Sequence, residues 1–556
     1  MRKQNIFTRT KISLVVASCL AASSMPAFAA DSSQIDEMKQ EIKALEQKLE
    51  AMQADVQKTR QVQQQTEAKV EETKKAQEET RAQVEQVVSS VPNLSRQVRG
   101  LPEGKGVNFG KVNVQLGGFA ASETVYRSVG LQSDIGSPFS KIPFAASAAP
   151  ALIGGAGGGQ AYSGPAYNQS EFRGTERQSR ISLLATSAVD PNTLVSAYYE
   201  LDFLSSGTTA NANESNSFSP RTRHAYGTID WLDSGFHILA GQTWSLATLN
   251  THGITPRNEY IPLTIDAQYV PGFTWARQWQ FRMVKDWDKK YWGALSFENA
   301  QTSGVSGSNG AASNIYGIVP PGGSLFNNVG PAGTAAAPVA MSINKYPDII
   351  AKLAAETDYG HYEVYDLARN FQSTYGLTAT GGATNMQNTW TNAVGAGAVI
   401  PVIGKVLDFS ISGLYGKGIG RYGTSGLSDA TIGADGALLP LKGSQILAGI
   451  TWHADPKVDV YGNVGEEKVD SASYYNSAGA LSGYGTGFGG SSVGNLQSVG
   501  QGTVGVWWSF YKGDYGRAAL GAQYSRTKLQ TFANTSGVAM STSDNMFFTS
   551  LRYYPF

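Results

Sequence analysis

Beyond residue 106 the chain alternates apolar and polar positions in short runs separated by turn-forming residues. The run from Ile181 to Leu204 is the clearest case, reading ISLLATSAV, then DPN, then TLVSAYYELDFL. Val195, Ala197, Tyr199, Leu201 and Phe203 share one parity, and Ser196, Tyr198, Glu200 and Asp202 share the other. A period of two places these sets on opposite faces of a strand. Pro191 fixes φ between Asp190 and Asn192, so the two arms form a tight antiparallel hairpin. One such hairpin fits a soluble β-sandwich; a membrane barrel has to be argued from repetition.

The pattern recurs. Strands are predicted near 109–126, 173–189, 193–204, 221–231, 236–243, 272–286, 291–301, 346–357, 361–372, 388–400, 405–416, 444–454, 457–468, 499–511, 516–529 and 545–556. That is sixteen, an even number, as single-chain bacterial barrels require. The connections alternate in length. Short ones fall at 190–192, 232–235, 287–290, 358–360, 401–404, 455–456 and 512–515. Long ones fall at 127–172, 205–220, 244–271, 302–345, 373–387, 417–443, 469–498 and 530–544. Short periplasmic turns and long outer loops are the mark of an outer-membrane barrel, and a sandwich has no reason to sort its loops this way.

Aromatic residues crowd the short turns: Trp231 and Phe236, Trp287, Tyr291 and Trp292, Tyr359 and Tyr362, Trp452, then Trp508, Phe510, Tyr511 and Tyr515. They predict an interfacial girdle. Polar residues on the opposite parity, such as Asp408, Ser410 and Ser412, imply a water-filled lumen. The chain closes on RYYPF, a strand ending in Phe of the kind that marks outer-membrane barrels for assembly, with Pro555 breaking the alternation.

The first hundred residues follow another period. Ile35, Ile42, Leu49, Val56, Gln63, Val70, Gln77, Val84 and Val91 occupy a positions of an unbroken heptad repeat. Met38, Leu45, Met52, four Thr and Val87 occupy d, and Pro92 stops the helix. This predicts a coiled coil over 31–91, about 85 Å long at 1.5 Å per residue. Its polar central layers favour a defined oligomer over maximal stability; the alternative is a solvated single helix. Residues 1–29 carry basic residues, an apolar core and Ala27-Phe28-Ala29, the layout of a secretory signal. A lipoprotein box ending at Cys19 competes, but leaves a very short apolar core. The expected organisation is therefore signal 1–29, periplasmic coil 31–91, linker 92–106 and barrel 107–556. The fold class is an all-β transmembrane barrel of sixteen antiparallel strands preceded by an α-helical coiled coil.

Composition narrows the function. Lys plus Arg and Asp plus Glu are balanced at 44 each, which argues against nucleic acid as a partner. The mature chain has no apolar run of 18 residues, leaving strands as the only way across a membrane. The five His have no metal-ligand spacing, and neither a nucleophile elbow nor a phosphate loop appears, so no catalysis, metal or cofactor is expected. A barrel hydrolase, whose nucleophile and base meet only in space, is one competing class. An adhesin-like anchor is another, although such chains contribute only a few strands each.

Several motifs occur together: Arg221-Thr-Arg223-His224-Ala-Tyr226-Gly227, Ala240-Gly-Gln242-Thr-Trp244, Pro271-Gly-Phe273, Gly360-His361-Tyr-Glu363, Gly420-Arg421-Tyr422-Gly423 and Asp429-Ala-Thr431. With the N-terminal coil and the RYYPF ending, the chain resembles the DcaP-like family of outer-membrane porins over nearly its whole mature length. The resemblance implies a homotrimer of sixteen-stranded barrels in outer-membrane lipid, each passing small anionic solutes such as dicarboxylates. Residues 145–168 and 302–340, rich in Gly, Ala and Ser, depart from it.

Selectivity must come from placement, since total charge is balanced. Lumen-lining Arg or Lys favours anions, and the Arg fork matches a carboxylate. Eight Arg fall between 173 and 282. Arg282 shares the polar parity with Gln278 and Gln280 and is the first lumen candidate, while Arg277 lies on the opposite parity and needs a bulge or a subunit contact. Arg221 and Arg223 start a strand of ambiguous parity. Lys352 and Arg369 are inward candidates. The third long loop offers Arg257, Glu259 and Asp266 among Ile254, Ile261, Leu263 and Ile265. Its apolar content predicts that it packs inside the barrel and narrows it, its acids facing the Arg wall. For each cation the alternative is a structural salt bridge. Glu200 and Asp202 point to the same side as these cations, so a segregated field is expected. The competing function is a non-selective porin whose coil tethers the outer membrane to peptidoglycan.

Overall fold

A computed structural model describes residues 106–145, 165–204, 217–303, 344–377, 383–404, 406–434, 437–475, 479, 481–488 and 494–556, together with Lys43. The signal segment, the heptad repeat, nearly all of the linker and most of 145–168 and 302–340 lie outside the described residues.

Period-two alternation produces sixteen barrel strands: β1 (Val112–Arg127), β2 (Arg180–Asp190), β3 (Thr193–Asp202), β4 (Arg221–Trp231), β5 (Phe236–Trp244), β6 (Arg277–Trp287), β7 (Tyr291–Glu298) and β8 (Asp348–Thr357). They continue as β9 (Gly360–Leu377), β10 (Ala383–Ile403), β11 (Leu407–Lys417), β12 (Lys442–Asp455), β13 (Val458–Val469), β14 (Leu496–Gly513), β15 (Gly516–Ala533) and β16 (Ala539–Tyr554). Each pairs antiparallel with the next, and β1 pairs with both β2 and β16. The sheet is closed, so no edge is left to pair with another chain. Two short segments complete it. Val107–Phe109 folds back on the start of β1, and Glu171–Thr175 pairs with its end.

The hairpin at Ile181–Leu204 has the faces its sequence predicts. Ile181, Leu183 and Tyr199 are exposed on the outer face, while Ser182 and Asp202 are buried inside. Exposed Trp287, Tyr291, Tyr359, Trp452, Trp508, Phe510 and Tyr515 form the girdle at the short-turn rim. Trp292 is an exception: it points inward, 4% exposed, and stacks on His237. β16 ends at Tyr554, where Pro555 removes a ladder donor.

Three boundaries shift. The strand expected from 272 begins at Arg277, because Gly272 takes φ +88 and the segment before Arg277 belongs to the inward loop. The connections expected at 373–387 and 530–544 are largely strand, since β9 runs to Leu377, β10 starts at Ala383, β15 runs to Ala533 and β16 starts at Ala539. These extensions are rich in Ser, Thr, Asn and Gln, which dilute the apolar alternation. The loops at 417–443 and 469–498 each carry a small hairpin, Ala430–Ile432 with Leu438–Pro440 and Ala472–Tyr475 with Leu481–Tyr484.

The wall is uneven. β3 to β7 are 8 to 11 residues long, whereas β9, β10, β14 and β15 are 18 to 21. The low side suffices to cross a bilayer; the high side stands above it. Inside, the expectation of a uniformly wet lumen needs correction. Ile135, Phe139, Ile142 and Phe144 from the first long loop pack against Val499, Leu529, Met546 and Phe548 of β14–β16. Each such fully buried side chain contributes ~2 kcal/mol relative to exposure. The inner face of β14–β16 is therefore a dry core that holds a loop, and the inner face of β6–β8 is packed in the same way against the inward third loop through Val284, Trp292, Ile350 and Ala354.

Candidate permeation pathway

The third long connection, residues 245–276, folds inside the barrel. Leu246, Leu249, Ile254, Ile265, Val270 and Phe273 are all at most 4% exposed. Its backbone is held around the wall by side chains that satisfy groups unable to reach water. Glu298 accepts from the Leu246 N–H at 2.7 Å, Glu363 from Asn250 at 3.2 Å and Glu467 from Gly272 at 2.9 Å. Trp507 Nε1 donates to the Leu263 carbonyl at 2.8 Å, and Thr424 Oγ1 to that of Val270 at 2.9 Å. The loop also presses on β13, where the Pro271 carbonyl occupies the space a Cβ at Gly465 would need.

The inward orientation expected for Arg282, Lys352 and Arg369 is what the strands show, but these three do not face open solvent. Each is at most 2% exposed. Arg282 Nη2 donates to the Trp244 carbonyl at 2.8 Å and Nε to Gln280 at 2.9 Å. Lys352 Nζ donates to the Thr248 carbonyl at 2.8 Å and to Glu363 at 2.7 Å, fastening the first turn of the inward loop. Arg369 bridges Asp348 and Asp429 at 3.1 and 3.0 Å, tying the loop after β11 to the wall. The structural role dominates at all three.

The ambiguous parity of the next pair has a concrete cause. Glu200 faces His224 while Leu201 faces Thr222, so Arg223 is the extra residue of a bulge. The bulge turns both Arg221 and Arg223 inward. Arg221 grips Asp202 at 2.8 Å, and Arg223 contacts Glu200 at 2.5 Å and Asp202 at 2.9 Å. Arg277 stands at the end of the inward loop where the pleat breaks, so its parity does not take it outside. It is 6% exposed, with its guanidinium 4.7 Å from the Trp244 ring. Around Glu200 and Asp202 therefore stand Arg180, Arg221, Arg223 and Arg277, four guanidiniums against two carboxylates.

Two loop residues enter this field with left-handed backbones, Arg257 at φ +69 and Tyr269 at φ +66. Non-glycine residues seldom adopt that region, and they persist in it only where surroundings hold them. Arg257 Nη1 donates to the Tyr226 hydroxyl at 2.8 Å, and its guanidinium lies 5.5 Å from the Tyr198 ring. The residue is nevertheless exposed, the only loop cation of the candidate set that faces solvent. Burial pushes the Tyr269 phenol up, but Arg223, Arg180 and Arg277 outweigh it and pull it down to about 8.

The two loop acids part company. Glu259 lies near Arg282 and Arg257. Asp266 is 1% exposed and accepts the N–H groups of Ser137 and Gln268 at 3.1 and 2.8 Å. It joins the first loop to the third, and burial pushes its carboxyl up to about 6. Its expected place opposite the Arg wall is corrected to a buttress, because the apolar residues around it carry it away from solvent.

Sequence reasoning missed Arg180 and its partner loop residue Tyr269. It also missed three histidine clamps. His237 lies between Asp230 and Asp286, His361 between Glu356 and Glu363, and His453 between Asp408 and Asp459, each ring nitrogen 2.6–3.2 Å from a carboxylate oxygen. All three sit next to short turns, and only the register of neighbouring strands reveals them.

A closed sixteen-stranded antiparallel barrel with short turns at one rim and a loop folded into its interior is a porin-type outer-membrane channel fold. The outer membrane channel DcaP of Acinetobacter baumannii has this fold, with 18% sequence identity over 81% of this chain and 100% of that chain and a TM-score of 0.55. The likeness that the sequence motifs carry thus holds for the architecture. An anion-selective porin from Comamonas acidovorans aligns at 11% identity, 80% and 99% coverage and TM-score 0.41. Salmonella typhi OmpF aligns at 9%, 80% and 98%, with 0.40. No protein-family profile and no curated protein sequence matches the chain.

Proposed function

We propose that the protein is an outer-membrane porin giving diffusive uptake of small anionic solutes, with carboxylates and dicarboxylates as the favoured class. The observation that carries the reading is the solvent-facing guanidinium of Arg257, set beside a wall where four guanidiniums meet two carboxylates. An anion passing that wall meets net positive charge in a narrow, low-dielectric surrounding, where Coulomb attraction is stronger than in bulk water. A second carboxylate gains Coulomb attraction from the guanidiniums spread over β2, β4 and the inward loop. A homotrimer in outer-membrane lipid suits the uneven wall, whose low side at β3–β7 is the natural subunit face.

The heptad segment supports a second, structural role. A trimeric coil on the periplasmic side would reach toward peptidoglycan, aid trimer assembly, or both.

Liposome swelling with a panel of mono- and dicarboxylates against neutral sugars of similar size tests the transport reading. Dicarboxylates should enter several-fold faster than the sugars. Equal rates would leave a general porin.

A further inference from the structure

Outward-facing cations gather on one side of the barrel at one height. Lys417 of β11, Lys442 of β12, Lys468 of β13 and Lys528 of β15 are all exposed on the outer parity, and Arg526 sits one outward step below Lys528. Their height follows from register. Leu407 pairs with Trp452 at the short-turn rim, and Lys417 pairs with Lys442 ten residues further along both strands. Trp508 pairs with Leu520, and Lys528 lies eight residues beyond. At 3.3 Å per residue and a tilt near 40°, these cations stand roughly 20–25 Å above the lower aromatic girdle. That is the level of the outer-leaflet headgroups.

Two features set this belt apart from ordinary snorkelling charges. Lys417 and Lys442 face each other directly across the ladder, an arrangement that repels unless an anion lies between them. Among the described residues, the carboxylates beside the belt are Glu466, 3.7 Å from Lys468, and Asp470. Five cations thus meet two acids. The surface beneath Arg526 and Lys528 is open: they pair with Gly502 and Gly500 on one side and with Asn545 and Ser543 on the other. No heavy atom lies within 4 Å of a Cβ built at Gly502. The upper outward positions of β3–β7, by contrast, carry Tyr199, Thr222, Gln242, Trp279 and Phe297, none of them charged.

We infer that the outer face of β11–β15 is a docking surface for a phosphorylated glycolipid of the outer leaflet. Its phosphates sit against Lys417, Lys442, Arg526 and Lys528, and the hydroxyls and amides of β16 are placed to meet its sugar. The inference rests on the outer-membrane reading and is independent of anion selectivity in the lumen.

The test uses the purified full-length protein in mild detergent with chelator present. Bisphosphorylated lipid A, the same lipid A stripped of phosphate, and phosphatidylethanolamine are each titrated and bound lipid is counted by native mass spectrometry. The phosphorylated form should bind at least tenfold more tightly than the stripped form. The variant Lys417→Gln/Lys442→Gln/Arg526→Gln/Lys528→Gln should lose that preference, while Arg257→Gln in the lumen should keep it. The two double variants, one for each half of the patch, cover the case in which the fourfold change fails to fold, and each should lose part of the preference. Equal binding of the two lipid A forms, or full preference in the folded variants, overturns the inference. So does loss of oligomer in the variants, which would make the face a subunit contact. Displacement by inorganic phosphate at equal concentration also overturns it, leaving a general anion patch.

Discussion

Arg257 Nη1 donates to the Tyr226 hydroxyl at 2.8 Å, so a cation carried on the inward loop is fixed to the wall of β4. The bond holds the guanidinium in solvent beside Glu259, on a backbone with φ +69. Arg257→Gln should lower the anion-to-cation permeability ratio roughly two- to threefold, the size expected for one charge in a screened pore. Tyr226→Phe keeps the charge but frees it, and should act in the same direction more weakly. Single-channel reversal potentials separate the two; equal ratios in wild type and Arg257→Gln would remove Arg257 from the selectivity set.

Lys352 fastens the start of the inward loop to β8 and β9. Lys352→Met leaves Glu363 and the Thr248 carbonyl without their partner in a buried place, a change that costs about 3–5 kcal/mol where a buried pair is broken one-sidedly. The expected result is noisier open-channel current and a lower unfolding temperature. Lys352→Met/Glu363→Gln should recover part of both. A quiet, stable single variant would mean that the loop is held elsewhere.

Gly465 admits the loop to the wall. A methyl group there would collide with the Pro271 carbonyl and the Ile446 carbonyl. Gly465→Ala should push the loop away from β13 and raise single-channel conductance, whereas Gly502→Ala, with open space around it, should leave conductance unchanged.

Tyr269 should make selectivity depend on pH. Its phenol, held at about 8, ionises within the Arg223, Arg180 and Arg277 field as pH rises through that value. The phenolate then neutralises part of the positive charge, so anion preference should fall between about pH 7 and pH 9. Below pH 7 the phenol is neutral and the preference should be flat. Tyr269→Phe should abolish the dependence; a fall that persists in this variant would assign it to another group.

Deleting residues 31–91 should leave conductance intact while weakening trimer assembly or attachment of the outer membrane to the cell wall. A truncated protein that is a stable, normally anchored trimer would contradict both roles of the coil.

The barrel was legible because alternation and loop length are written into the chain at every hairpin, as Ile181–Leu204 illustrates. The packing of the inward loop was legible too, from Ile254, Ile261, Leu263 and Ile265. What each cation does there was not. Arg282, Lys352 and Arg369 have the right parity, but parity cannot say that a loop backbone will cover them. Arg223 was ambiguous because a bulge adds one residue to β4, and Arg277 was misplaced because the pleat ends beside it. Asp266 could be read as acidic and on the loop, but its burial depends on Ser137 from a connection more than a hundred residues away. The extensions of β9, β10, β15 and β16 escaped because Ser, Thr, Asn and Gln dilute the apolar alternation there.

Arg282 is covered by the loop, so the decisive measurement is made on exposed Arg257 and half-buried Arg180. The most direct test of anion-selective permeation is the reversal potential of the purified protein in a planar bilayer under a potassium chloride gradient. It is measured for the wild type and for Arg180→Gln/Arg257→Gln. The wild type should show a potential of the sign set by chloride, and the double variant should move it toward zero. A potential of the sign set by potassium, or a double variant indistinguishable from wild type, would contradict the account.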